Sequence, residues 1–134
     1  MSSYVEGQEL APRRFQVTRA DLVRYAGASG DRNPIHWSDR TAAVVGLPGV
    51  IAHGMYTMAL AAGAVQDWAG GPGRVRELGA KFTKPVVVPD DDEGVELVVT
   101  GLVRSVQDGL VRVALEVTCS GEKVLGNPTA VFVG

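Results

Sequence analysis

The chain has one cysteine, Cys119, in 134 residues. A lone cysteine excludes an internal disulfide and a cysteine-based metal cluster within one chain, and it fits a reducing compartment. Histidine numbers only two, and aromatic residues make up 6%. Charge of one sign is missing too: the formal net charge is −2, and no basic run exceeds the pair Arg13-Arg14. Nucleic-acid binders concentrate positive charge on one face, so that role is disfavoured. The least polar stretch, Met55 to Val65, is about half of what crosses a bilayer. The opening residues, MSSYVEGQELAPRRF, lack the apolar centre of a signal peptide. The expectation is a cytoplasmic protein with no nucleic-acid or membrane partner. What remains is ordinary globular composition, 46% apolar and 21% charged, at a length suited to one domain over residues 1–134.

The two halves differ in texture. Fifteen of the 22 valines lie from Val75 onward. Valine is stiff at χ1 and fits a pleated surface, so the C-terminal half reads as strand. Expected strands cover Arg74 to Val88, with an interruption near Pro85, then Val95 to Val106, Leu110 to Cys119 and Lys123 to Val133. A short strand over Arg14 to Val17 makes about five. Asp108-Gly109 suits a type I′ hairpin turn. Asn127-Pro128 predicts a bulge or an early strand end, because proline cannot donate to a ladder.

The N-terminal half carries helical patterns. Thr18 is placed to cap a helix over Arg19 to Ala28, with Asp21 near the positive end of its dipole. A short helical stretch follows Ser38. A second helix, Gly54 to Ala69, has almost no polar face, which predicts burial on most sides. Its small residues, Ala59 and Ala61 to Ala64, let other backbones come close. The class is α+β: a five-stranded antiparallel sheet with one long buried helix.

Both histidines lie in the least regular parts of this half. Asp31 and His36 are five apart on a segment that Pro34 keeps from being a continuous helix. Two readings stand beside each other. In one, Asp31 caps a turn and His36 is a partly exposed loop residue. In the other, they are an acid–base pair held on a stiff loop. His53 likewise caps or packs beneath the loop, or helps position a substrate.

The wider pattern is specific. Tyr25-Ala26-Gly27-Ala28-Ser29-Gly30-Asp31-Arg32-Asn33-Pro34-Ile35-His36, followed by Ala52-His53-Gly54-Met55, resembles the hydratase 2 motif of the MaoC-like dehydratases, with its G-D-x-N-P-x-H signature. Lys81-Phe82-Thr83-Lys84-Pro85-Val86 and Pro89 extend the similarity. It is greatest to the single-hotdog, catalytic B-type subunit of actinobacterial (3R)-hydroxyacyl-carrier-protein dehydratases. The resemblance implies a hotdog fold, a sheet curled around one helix. It implies Asp31 and His36 as the catalytic pair and Gly54 N–H as the group that holds the thioester oxygen. Asn33 matches the motif asparagine, and Asn33, Ser29, His53 and Tyr56 are expected as supporting residues; Tyr56 and Thr57 are placed to face the site from the first helical turn. No metal and no cofactor are implied; the acyl group arrives on carrier-protein phosphopantetheine or on CoA. The implied assembly is a homodimer, or a heterodimer with an A-type hotdog subunit.

The implied reaction is loss of water from a 3-hydroxyacyl thioester. One alternative is a hotdog thioesterase, many of which place an acid on the central helix. Here the acid on that helix is Asp67, at its far end. The other alternative is a non-catalytic subunit that shapes an acyl pocket, which need not retain both Asp31 and His36.

Overall fold

Thr18 begins the helical part of the chain with a reciprocal cap in the computed structural model, which describes residues 3–134. Its hydroxyl accepts from the Asp21 N–H, and the Asp21 carboxylate accepts from the Thr18 N–H. Two orphan donors are satisfied this way, a device that typically contributes ~1 kcal/mol. The helix, α1, covers Arg19–Ser29 and ends at Gly30 in the left-handed region, φ 78°. Ser38 caps a second helix, α2, Asp39–Val44. The long helix, α3, occupies Gly54–Ala69, the span expected from the sequence, and stops at Gly70 with φ 87°.

The strands are β1 Glu9–Val17, β2 Val75–Phe82, β3 Val95–Gln107, β4 Leu110–Cys119, β5 Glu122–Lys123 and β6 Leu125–Val133. They form one antiparallel sheet in the order β1-β3-β4-β6-β2, with the two-residue β5 paired to β4. This is the hotdog architecture, with α3 packed against the inner face. In β4 every second residue from Val111 to Cys119 is buried, as its alternation requires. Val17, Leu22, Val50, Ala61, Ala64, Leu97, Val99 and Val117 form one core beneath α3. Each fully buried Val or Leu contributes ~1.5–3 kcal/mol of transfer free energy. The Asp108-Gly109 turn has φ of 55° and 76°, as a type I′ turn needs.

Three expectations are corrected. β1 starts at Glu9 and not at Arg14; its register with β3 slips between Leu10 and Arg13, where Pro12 interrupts the pattern. The strand expected to run to Val88 leaves the sheet at Phe82. Beyond Pro85 the chain pairs elsewhere: Ala52 N–H donates to the Val86 carbonyl and Val88 N–H to the Val50 carbonyl. The long helix is less enclosed than its composition implies, since Met55 is 60% exposed at its start. The irregularity expected at Asn127-Pro128 is present: Asn127 has φ 45°, and the β2–β6 register shifts there.

Candidate active site

The loop after α1 is built from three turns in which a side chain accepts from the backbone two residues on. Ser29 Oγ accepts from Asp31 N–H, Asp31 Oδ1 from Asn33 N–H, and Asn33 Oδ1 from Ile35 N–H. Short polar side chains stabilise such turns without any helix. Pro34 then opens a single 3₁₀ turn, Pro34–His36. Asp31 is half-exposed, and its second oxygen, Oδ2, lies 3.9 Å from His36 Nε2.

His36 is buried, at 7% exposure, and not a partly exposed loop residue. Its Nδ1 lies 2.7 Å from the Ile51 carbonyl. A carbonyl only accepts, so Nδ1 carries the proton of the neutral ring and Nε2 is the basic nitrogen. That nitrogen faces Asp31.

His53 stacks on His36, with ring centroids 3.8 Å apart and planes 22° from parallel. Its Nε2–H donates to the Asp31 carbonyl at 3.1 Å, while its Nδ1 is buried without a partner. It stands at the N-cap of α3 but makes no side-chain cap bond. Of the roles considered for it, the structure supports packing beneath the loop. Burial pushes its pKa below the ordinary histidine value; the bond to Asp31 opposes this, and His36 adds to it. Tyr25 meets His53 edge-on at 4.7 Å, and Tyr56 lies against Tyr25 at 5.1 Å. Tyr56 therefore reaches the histidines through Tyr25. One ligand atom from each of Asp31, His36 and His53 lies within 4.8 Å of the others. The imidazoles meet face to face, however, and their lone pairs lie in the ring planes. Sharing one ion would require a ring to turn.

Gly54 is the first residue of α3, and its N–H has no acceptor among the described residues. Such free N–H groups give a helix start its partial positive charge. Gly54 also lines a cavity of about 350 Å³, together with Ile51, Thr57, Phe82, Val86 and Leu125. A Cβ on Gly54 would lie 3.0 Å from the Phe82 ring. Phe82, at the end of β2, is 57% exposed.

The structure thus brings Asp31, His36, His53 and Gly54 together around the start of α3. Ser29 and Asn33 brace the loop. Sequence reasoning assigned no role to three contributors. Tyr25 was visible within the motif. Phe82 lay in the extended similarity without a function. The Ile51 carbonyl had no signal at all, because any residue type offers a backbone oxygen.

A curled antiparallel sheet, one central helix and a loop that sets Asp31 beside His36 at that helix's N-terminus define a hotdog protein. The chain belongs to the MaoC-like domain family, whose model matches residues 3–120. It is similar to 3-hydroxyacyl-thioester dehydratase X of Mycobacterium tuberculosis, 42% identical over 75 residues, 56% of this chain and 26% of that protein. Among solved structures it resembles a MaoC-like dehydratase with a TM-score of 0.93 and 38% identity, covering 98% of this chain and 41% of that one. It also resembles the R-hydratase PhaJ1 of Pseudomonas aeruginosa, with a TM-score of 0.81 and 30% identity, covering 97% and 82%. The chain spans about a quarter of the length of the first of these relatives.

Proposed function

We propose that the chain interconverts (3R)-3-hydroxyacyl and trans-2-enoyl thioesters. The observation that carries this reading is the basic Nε2 of His36 facing Asp31 Oδ2 at 3.9 Å, beside the free N–H at the start of α3. The 3.9 Å gap suits an oxygen that hydrogen-bonds to both groups at ~2.8 Å each. In dehydration His36 removes the proton from Cα, and Asp31 holds the hydroxyl on Cβ. The Cα–H and Cβ–O bonds break, the C=C bond forms, and the proton leaves with the hydroxyl as water. Charge that develops on the thioester oxygen is met by Gly54 N–H, at the positive end of the α3 dipole. The dehydratase and hydratase names of the relatives support the same reaction.

The acyl group is carried on CoA or on the phosphopantetheine of an acyl carrier protein. Thioester hydrolysis fits less well. Asp67 lies 13 residues beyond Gly54, ~20 Å along the helix axis, and it is ion-paired to Arg13 at 2.6 Å. Incubation with crotonyl-CoA tests the proposal. Loss of the enoyl absorbance without thiol release supports the lyase. Thiol release supports the thioesterase, and neither change leaves the pocket subunit.

The working unit is a dimer, with a second copy or with an A-type hotdog. β2 is an edge strand whose outer side is unpaired among the described residues, and Phe82 and Met55 stand exposed beside it. Pairing along that edge covers the strand and walls the cavity. Sedimentation of a fully active monomer overturns it.

A further inference from the structure

Gly54 supplies one N–H to the thioester oxygen, but an oxygen gaining negative charge has room for a second donor. Sites that stabilise such charge gain from each donor preorganised toward it. The cavity wall around Gly54 offers few. Ile51, Ala52, Phe82, Pro85, Val86 and Val124 present apolar side chains. Thr83 and Lys84 stand at the exposed rim, and Lys84 pairs with Glu122 at 3.4 Å. Thr57 differs. It is 4% exposed, it lines the same cavity as Gly54, and it lies three residues further along α3. Residues three apart share a helix face, and each side chain leans toward the helix N-terminus, so the Thr57 hydroxyl leans back toward the Gly54 turn.

A helical threonine ordinarily gives its hydroxyl proton to the carbonyl four residues earlier. For Thr57 that carbonyl belongs to His53, and it already accepts from the N–H groups of Tyr56 and Thr57. Among the described residues the Thr57 hydroxyl makes no hydrogen bond. The only buried side-chain polar atom without a partner among the described residues is His53 Nδ1, so the unpartnered Thr57 hydroxyl keeps access to the cavity it lines, where a ligand oxygen can complete it.

We propose that Thr57 Oγ–H is the second donor to the thioester oxygen, so that Gly54 and Thr57 together form the oxyanion hole. The inference rests on the dehydratase reading above. Thr57 is then a catalytic residue, with a hydrogen bond that shortens as the enolate forms.

The test compares Thr57→Val, which keeps the shape and removes the hydroxyl, with Thr57→Ser, which keeps the hydroxyl. Thr57→Val should lower kcat for crotonyl-CoA hydration ~100-fold, the effect of losing one such donor, with KM changed by less than ~3-fold. Thr57→Ser should stay within ~5-fold of wild type. A second readout uses the His36→Ala background, where turnover is blocked, and the infrared carbonyl stretch of bound ¹³C-labelled crotonyl-CoA. The stretch should move to higher frequency when Thr57→Val is added and stay put for Thr57→Ser. An unchanged stretch overturns the assignment, as does a Thr57→Val enzyme within ~3-fold of wild-type kcat. If wild type binds the thioester with a polarised carbonyl yet never hydrates it, the dehydratase reading fails while the Thr57 contact stands.

Discussion

The imidazoles of His36 and His53 stack at 3.8 Å, and each anchors its outer nitrogen on a backbone carbonyl, Ile51 for one and Asp31 for the other. The stack joins the Asp31 loop to the start of α3. Asp31, His36 and the first turn of α3 are thus tied together by ring stacking and backbone hydrogen bonds. Burial is the main reason that the His53 pKa lies below the ordinary histidine value, and the His36 ring beside it adds to the effect.

Acid sensitivity should trace to His53. Burial lowers its pKa in the folded chain, whereas unfolding restores the ordinary value of 6.5. Below that pH the unfolded chain binds a proton that the folded chain does not. The stability due to neutral His53 is therefore full above about 6.5 and is lost as pH falls toward the lowered value. Tm measured at steps from about pH 7.5 down to pH 5.5 should fall less steeply in His53→Gln than in wild type. Equal slopes would assign the acid sensitivity to other groups.

Asp31→Asn and His36→Ala should each lower kcat by ~100-fold or more, and the double variant by little beyond that. Their stabilities should differ. Asp31 is half-exposed, so Asp31→Asn should unfold near the wild-type temperature. His36 is buried and stacked, so His36→Ala should lose ~1–3 kcal/mol in urea denaturation. Turnover within tenfold of wild type in either single variant would remove the pair from the mechanism.

Gly54→Ala should act through Phe82. The new Cβ would lie 3.0 Å from the ring, and that exposed ring has room to swing away. Phe82 also lines the cavity, so moving its ring reshapes that wall, and turnover should fall ~10-fold. Adding Phe82→Leu should recover part of the loss. Kinetics of both variants decide this; no recovery would place the damage at the helix N-terminus itself.

Gly94→Ala should be among the most damaging glycine substitutions. Gly94 has φ +65°, and a Cβ there would sit 1.9 Å from the Val17 carbonyl oxygen, part of the backbone. The cost should exceed ~3 kcal/mol, because neither β1 nor β3 can move without breaking their ladder. Gly109→Ala is the control. Its φ is +76° with nothing within 4 Å, so only the ~1–2 kcal/mol left-handed penalty applies. Equal urea midpoints for the two variants would contradict the contact.

Much of this protein is local and therefore legible in the chain. The bounds of α3, the Thr18 cap, the alternation of β3 and β4 and the Asp108-Gly109 turn each depend on residues within one or two turns of each other. The G-D-x-N-P-x-H segment was legible for the same reason, since its successive turns bond only two residues ahead. Tertiary structure decided what depends on distant partners. The Ile51 carbonyl selects the basic nitrogen of His36 from 15 residues away. Phe82, at the end of β2, packs against Gly54 at the start of α3, and Val86 to Val88 abandon β2's direction to pair with Val50 to Ala52. Periodicity records which face of an element is apolar. It carries no information on which other element will cover that face, because that follows from the twist of the sheet and the packing of α3 against it.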